Sequence, residues 1–240
     1  MKESLSTQYK ALFCKELYPY GFRLYKKTFF RVINDVVQTL MLCKTNTDFS
    51  IEFDIDPLSL PIEDLYCESL YNIATFRNRG WWACWPEVEE NAFEDILFLF
   101  RTHVKPIFER GIDSKSAYDE LIRLEKSIFT GVPGGIIDDY KFARLCIQAQ
   151  DYEKAYQHLS VIVKTWDEAY PHMLAEHKKR GADAGPDLAF NKFMLEYEEL
   201  KEDLRRLSIP DAEYFKKLVA QNQAISIENL KHPKYPSQRR

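Results

Sequence analysis

An α+β fold is expected for this chain: an antiparallel sheet of four or five strands covered by helices over residues 1–128, then an all-helical part over residues 136–230. Three observations predict it. Between Phe22 and Asp56 the apolar residues recur with a period of two, the spacing at which alternate side chains of a strand share a face. Beyond Pro86 they recur at three and four, as on one side of a helix. Three of the eight glycines fall in Gly131-Val132-Pro133-Gly134-Gly135, which places the internal boundary there.

Each element follows from its own residues. Ser4 to Tyr18 is expected to be helical, because Leu5, Tyr9, Leu12, Phe13 and Leu17 share helical spacing and Pro19-Tyr20-Gly21 stops it. Phe22–Lys26 and Thr28–Ile33 are short extended stretches. Asn34-Asp35 is a two-residue turn of types that tolerate the left-handed region, and Val36–Cys43 is the return strand. After a turn at Thr45–Asp48, Phe49–Asp56 alternates most cleanly: Phe49, Ile51, Phe53 and Ile55 on one face, Glu52, Asp54 and Asp56 on the other. Ser69–Phe76 is a further extended candidate. One buried and one solvated face is the ordinary state of such a meander.

The helical part begins after Trp85-Pro86. Glu87, Glu89 and Glu90 suit the positive end of a helix dipole, and Phe93, Ile96, Leu97, Phe100 and Val104 form its apolar stripe. Pro106 should kink or end it. A further helix runs from Asp113 or Ser114 to Lys126. Helices Ile137–Ala149 and Tyr152 onward are split at Gln150-Asp151, with a kink or restart expected at Pro171. Another runs from Asp187 to Leu207, and Pro210 starts the last. Residues 231–240 are expected to be a flexible tail.

Composition excludes several classes. The chain has 240 residues, 45% of them hydrophobic and 14% aromatic, too apolar for a disordered chain. The size scaling allows about 30,000 Å² to be buried, enough to need no disulfide or metal staple. Eight glycines in 240 residues is about half the usual share, which disfavours glycine-rich phosphate loops. The formal charge of −4 argues against a surface built to follow a nucleic-acid backbone. Cys14, Cys43, Cys67, Cys84 and Cys146 are scattered, as expected of thiols in a reducing cytosol rather than of a disulfide framework. No apolar run is long enough to span a bilayer.

Tyr20-Gly21-Phe22, Thr28-Phe29-Phe30-Arg31, a sheet ending at Phe53-Asp54-Ile55 and the later Gly80-Trp81-Trp82 resemble the pattern of a bacterial family catalogued only as a domain of unknown function. The resemblance covers about residues 1–126. It departs from the family at the end of the Phe49 strand, where Asp-Ile-Asp-Pro replaces a more polar Asn- or Gly-bearing end. It implies an α+β fold and brings no activity to any residue. Phe142-Ala143 through Asp151-Tyr152-Glu153-Lys154-Ala155, at about 137–165, is similar to one helix-turn-helix unit of the tetratricopeptide type. No second copy follows at a period near 34 residues, so an antiparallel helix pair is the expectation.

Two constellations are candidates for function. Glu52, Asp54 and Asp56 point from one strand face, where they would meet a basic partner or, with ligands from a second segment, a hard cation. The competing reading is a solvated sheet face. Trp81, Trp82 and Trp85 would make an aromatic recognition patch, against a plug sealing the sheet. The histidines lack zinc-ligand spacing, the glycine cluster lacks the Lys-Ser/Thr of a phosphate loop, and no Gly-x-Ser-x-Gly elbow occurs. No structural metal and no cofactor are expected. The functional expectation is a cytosolic binding protein that neutralises a basic protein partner. The alternative is a small-molecule hydrolase or metal-dependent enzyme using Glu52, Asp54 and Asp56.

Overall fold

The structure is a computed structural model. It describes residues 4–62, 71–77, 81–84, 87–128, 136–180, 188–209 and 211–233. The chain divides into two compact units, residues 1–132 with 218–240, and residues 133–217.

The first unit is built on an antiparallel sheet. Helix α1 (Leu5–Leu17) precedes it, with the Ser4 side chain accepting from the Thr7 N–H at 3.2 Å as N-cap. Strands β1 (Arg23–Tyr25), β2 (Thr28–Ile33), β3 (Val36–Lys44), β4 (Asp48–Pro57) and β5 (Tyr71–Asn72) follow in sequence order, and β6 (Trp82–Ala83) also pairs with β4. The α+β expectation therefore holds, with one short strand more than expected. The two-residue loops 26–27 and 34–35 fix the register, Tyr25 facing Thr28 and Ile33 facing Val36. Lys26 and Asn34 take the left-handed conformation, φ 53° and 48°. The Ser69–Phe76 expectation is met only at Tyr71–Asn72, because Ile73–Phe76 form a 3-10 turn in which the Asn72 side chain accepts from the Ala74 N–H as N-cap. Residues 69 and 70 lie outside the described residues.

One sheet face carries Phe29, Leu40, Phe49, Ile51, Phe53 and Ile55, all fully buried. Helix α1 covers it through Tyr9, Phe13 and Leu17, and the Tyr9 hydroxyl donates to the Leu40 carbonyl at 2.9 Å. Helices α2 (Ala92–Leu99), α3 (Lys105–Arg110) and α4 (Ser114–Ile128) complete that layer. Between α2 and α3 the chain makes a π-helical turn, Phe100–Val104, directly ahead of Pro106. The expected kink is thus absorbed by a wider turn, and the helical path continues. Gln38, inside this layer, donates to the carbonyls of Phe108 and Gly111, each at 2.8 Å.

The opposite face is not the solvated surface expected. Phe30, Val37 and Leu58 pack with Leu230 into a second core cluster. Leu230 belongs to the C-terminal half of α8 (Ala212–Lys231), the part of that helix that lies with the sheet. Ser226 accepts from the Ile62 N–H at 3.0 Å and donates to the Leu60 carbonyl at 2.7 Å. The sheet is therefore an inner layer at this end, covered on both faces.

The second unit is helical. Helix α5 (Ile136–Gln148) and α6 (Tyr152–Arg180) form the expected antiparallel pair about a turn in which Gln150 takes φ 60°. Helix α7 (Leu188–Ser208) packs back on α6. Ala143, Leu159, Ile162, Val163 and Leu200 form the core. Pro171 does not restart α6, which runs through it for 29 residues. Among the described residues no helix is long and apolar enough to cross a membrane.

Candidate functional site

The three carboxylates do share a face of β4, and pairing sets each in a different environment. Glu52 stands opposite Met41 on one side and Asn72 on the other, Asp54 opposite Thr39, and Asp56 opposite Val37. Asp54 is 2% exposed, and its Oδ1 accepts from the Ile55 N–H at 2.8 Å. The open acidic stripe inferred from spacing is thus corrected. Period two says which side chains share a face; it does not say that another element covers the face. Val37, the cross-strand neighbour of Asp56, lies in the cluster capped by Leu230. Thr28, Thr39 and Ser50, on the same face, are buried as well, so this face is an interior that mixes polar groups with the Phe30, Val37 and Met41 side chains.

Glu52 is half-buried and has acquired two neighbours invisible in the sequence. Burial raises its carboxyl above the ordinary value, while a hydrogen bond from the Cys43 thiol and the charge of Lys27 pull the other way. Burial, then the bond and charge of Glu52, push the Cys43 thiol far above the usual thiol range. Cys43 faces Ser50 across the ladder, so it is the diagonal neighbour of Glu52. Lys27 lies in the tight turn that leads into Thr28, which faces Met41. The turn at Thr45–Asp48 sets this register, so the juxtaposition could be found only once strand pairing was known. A thiol held protonated is a poor nucleophile. Beside it, the Ser50 hydroxyl donates to Asn72 Oδ1, and that oxygen also accepts from the Ala74 N–H at 2.8 Å. Among the described residues no group of three or more His, Cys, Asp or Glu side chains converges as a metal cage.

The tryptophans divide. Trp82 is fully buried, pairs with Phe49 on β4 with ring centroids 6.1 Å apart, and is covered by the Arg77 guanidinium at 4.3 Å. It is the plug. Trp81 is 38% exposed. Trp85 lies outside the described residues. Glu89 ties the next segment to β6: its N–H donates to the Ala83 carbonyl at 2.9 Å, its Oε2 accepts from the Ala83 N–H at 3.2 Å, and its Oε1 pairs with Arg77 at 2.9 Å.

That clamp places a second set of carboxylates outward. Glu87 and Glu90 flank the clamping residue and are exposed, as are Glu94 and Asp95 in the first turn of α2. Phe98, one turn further on the face of Glu94 and Asp95, is 65% exposed. The apolar stripe of α2 bypasses Phe98, a signal present in the sequence and not read there as a surface. Within residues 81–98, Trp81, Glu87, Glu90, Glu94, Asp95 and Phe98 are thus exposed acidic and aromatic groups. Comparisons with protein-family models, curated proteins and solved structures found no match.

Proposed function

We propose that this chain is a non-catalytic binding protein for a basic protein partner, and that the exposed groups within residues 81–98 make the contact. The observation that carries the reading is the exposure of Phe98 at 65% beside exposed Glu94 and Asp95. An aromatic anchor with carboxylates around it supplies burial on contact and electrostatic steering of a basic surface. Binding there would neutralise the partner by covering its basic groups. The buried Asp54 and the protonated Cys43 thiol support binding over catalysis on the Glu52 strand. Free thiols at Cys14, Cys43 and Cys84 support a reducing cytosolic setting.

The test uses the full chain as bait in extract of its source cell. A basic protein retained by the parent chain is purified, and its affinity is measured across a salt series. The variant E90Q/E94Q/D95N/F98A should bind at least tenfold more weakly and with a shallower salt dependence. E52Q should bind as the parent does. Equal affinity and salt slope for the parent and this variant would refute the assignment.

A further inference from the structure

Helix α1 and the helical path from α2 into the π-helical turn lie side by side on the sheet. Phe13 meets Phe100 edge to face with ring centroids 5.1 Å apart, Glu16 pairs with Arg101, and the Lys105 ammonium stands 4.8 Å from the centroid of the Tyr20 ring. These contacts advance in the same direction along both segments, so the two run parallel. Inward they bury Tyr9, Phe13 and Leu17 from one and Ile96, Leu99 and Phe100 from the other. Outward, Ala11 and Lys15 of α1 and Glu94, Asp95, Phe98 and Arg101 of the neighbouring path are exposed.

That outward surface has a polarity. Lys15 lies in the last turn of α1, and Glu94 and Asp95 lie in the first turn of α2, each where the helix dipole favours its sign. Arg101 joins Lys15 at the basic end. Its side chain is 55% exposed and that of Glu16 14%. Arg101 Nε and Nη2 donate to Glu16. A guanidinium has five N–H donors, so this pair aims Arg101 and leaves it capacity for a second carboxylate. Between the two ends stands Phe98. It and Ala11 each precede the Phe13–Phe100 contact by two residues, so a small side chain lies beside the exposed ring.

We propose that a second copy of this chain docks on this surface, the two α2 helices lying antiparallel about a twofold axis at Phe98. Asp95 and Arg101 stand three residues to either side of Phe98, each about 4.5 Å along the axis. Asp95 of each copy is then level with Arg101 of the other, and the ring of Phe98 meets its own counterpart. Both charge contacts form at once, as an isologous interface requires. A basic partner answers the acidic end; a second copy answers both ends. The surface from Glu94 to Arg101 is about 12 Å long and two helices wide, so the contact falls below the ~1,000 Å² of a lasting complex and belongs with the transient ones. The inference does not rest on the basic-partner reading. Because Phe98 serves in both, a basic partner and a second copy compete for it.

Sedimentation velocity on the full chain, with no partner added, tests the proposal. The parent should show a reversible monomer–dimer equilibrium at high micromolar concentration, weakening as salt rises. D95K and R101E each set like charges across the twofold axis, and F98A removes the apolar contact. Each variant alone should dimerise at least tenfold more weakly. D95K mixed with R101E in equal amounts should recover the parent dimer, because each reversed charge then meets its opposite. Asp95 and Phe98 are exposed, so D95K and F98A probe the contact independently of the Glu16 pair that R101E also removes. Circular dichroism confirms that all three variants are folded. A parent that stays monomeric at every concentration overturns the proposal and leaves the surface to a basic partner. A dimer indifferent to all three substitutions overturns it as well, and so does a mixture that associates no better than either variant alone.

Discussion

Arg144 on α5 and Asp203 on α7 form an ion pair of 2.8 Å with side chains only 10% and 6% exposed. The Tyr140 hydroxyl accepts from the same guanidinium at 2.9 Å, and Tyr214 bonds Asp203 at 3.4 Å. Removing one partner of a buried pair strands the other, at a cost of about 3–5 kcal/mol, whereas replacing both by apolar groups is often neutral. Asp203→Ala should therefore shift the urea midpoint strongly downward. Arg144→Met with Asp203→Leu should recover most of that loss. If the double variant is as unstable as the single one, the pair is a net stabiliser and not a positional constraint between α5 and α7.

The burial of Glu52 sets a pH dependence with a defined sign, against the opposing pull of the Cys43 hydrogen bond. The folded carboxyl is raised above its ordinary 4.5 by burial, so the folded chain holds this proton more tightly than the unfolded chain. Its contribution to stability is favourable at low pH and is lost as pH rises from the ordinary value through the raised one. Glu52→Gln should remove that loss. The unfolding midpoints of parent and variant should diverge, the variant gaining, as pH climbs from 4 to 7. A constant difference would show that Glu52 titrates as it does in the unfolded chain. In the same variant Cys43 should alkylate faster at pH 8, because the negative charge that helps hold its proton is gone, although the Gln amide oxygen can still accept from the thiol.

The architecture was legible because period is local. The Phe49, Ile51, Phe53 and Ile55 face, the Asn34-Asp35 turn and the pair of helices about Gln150 all announce themselves within a few residues. What covers the other face was not legible. Asn222, Ser226 and Asn229 recur at helical spacing along α8, yet they bind through polar groups to the carbonyls of Ser59, Leu60 and Ile62. A polar stripe leaves no hydrophobic period, so nothing in the sequence tied residues near 226 to a strand ending near 57. The burial of Asp54 and the proximity of Cys43 to Glu52 follow from long-range packing and pairing register, and were hidden for the same reason. Trp81 and Trp82 were separable only in principle: neighbours on a strand face opposite ways, but which one faces inward depends on the pairing of Trp82 with Phe49.

Gly111 and Ile55 meet where α3 ends against the sheet. Gly111 has an ordinary φ of −81°, so space rather than backbone conformation explains glycine there. A Cβ would stand 2.7 Å from Ile55 Cδ1 and 3.1 Å from the Ile107 carbonyl oxygen. Gly111→Ala should cost about 1–3 kcal/mol by overpacking. Ile55→Val, which deletes the obstructing methyl, should cost about 0.5–1.5 kcal/mol alone. Together the two should cost clearly less than their sum, since each relieves the other. Strict additivity in thermal unfolding would show that the clash is resolved elsewhere.

Ser226 tests whether the C-terminal half of α8 is a structural part of the sheet unit. It is fully buried and its Oγ serves three backbone groups: it accepts from the Ile62 N–H at 3.0 Å and lies within 3.1 Å of the Leu58 carbonyl and 2.7 Å of that of Leu60. Ser226→Ala removes this partner from the part-buried Ile62 N–H and from the Leu58 and Leu60 carbonyls, the first of them in a buried contact, which costs about 1–3 kcal/mol. Asn222 and Asn229 are half-buried and each serves one carbonyl, so water can replace them and their alanine variants should cost less. The local consequence is more specific than the global one. Phe30 and Val37 lie beneath Leu230, so loosening α8 should speed amide hydrogen exchange in β2 and β3 before the rest of the sheet. Exchange in S226A that matches the parent in these strands, with an unchanged melting temperature, would show that the sheet stands without this helix.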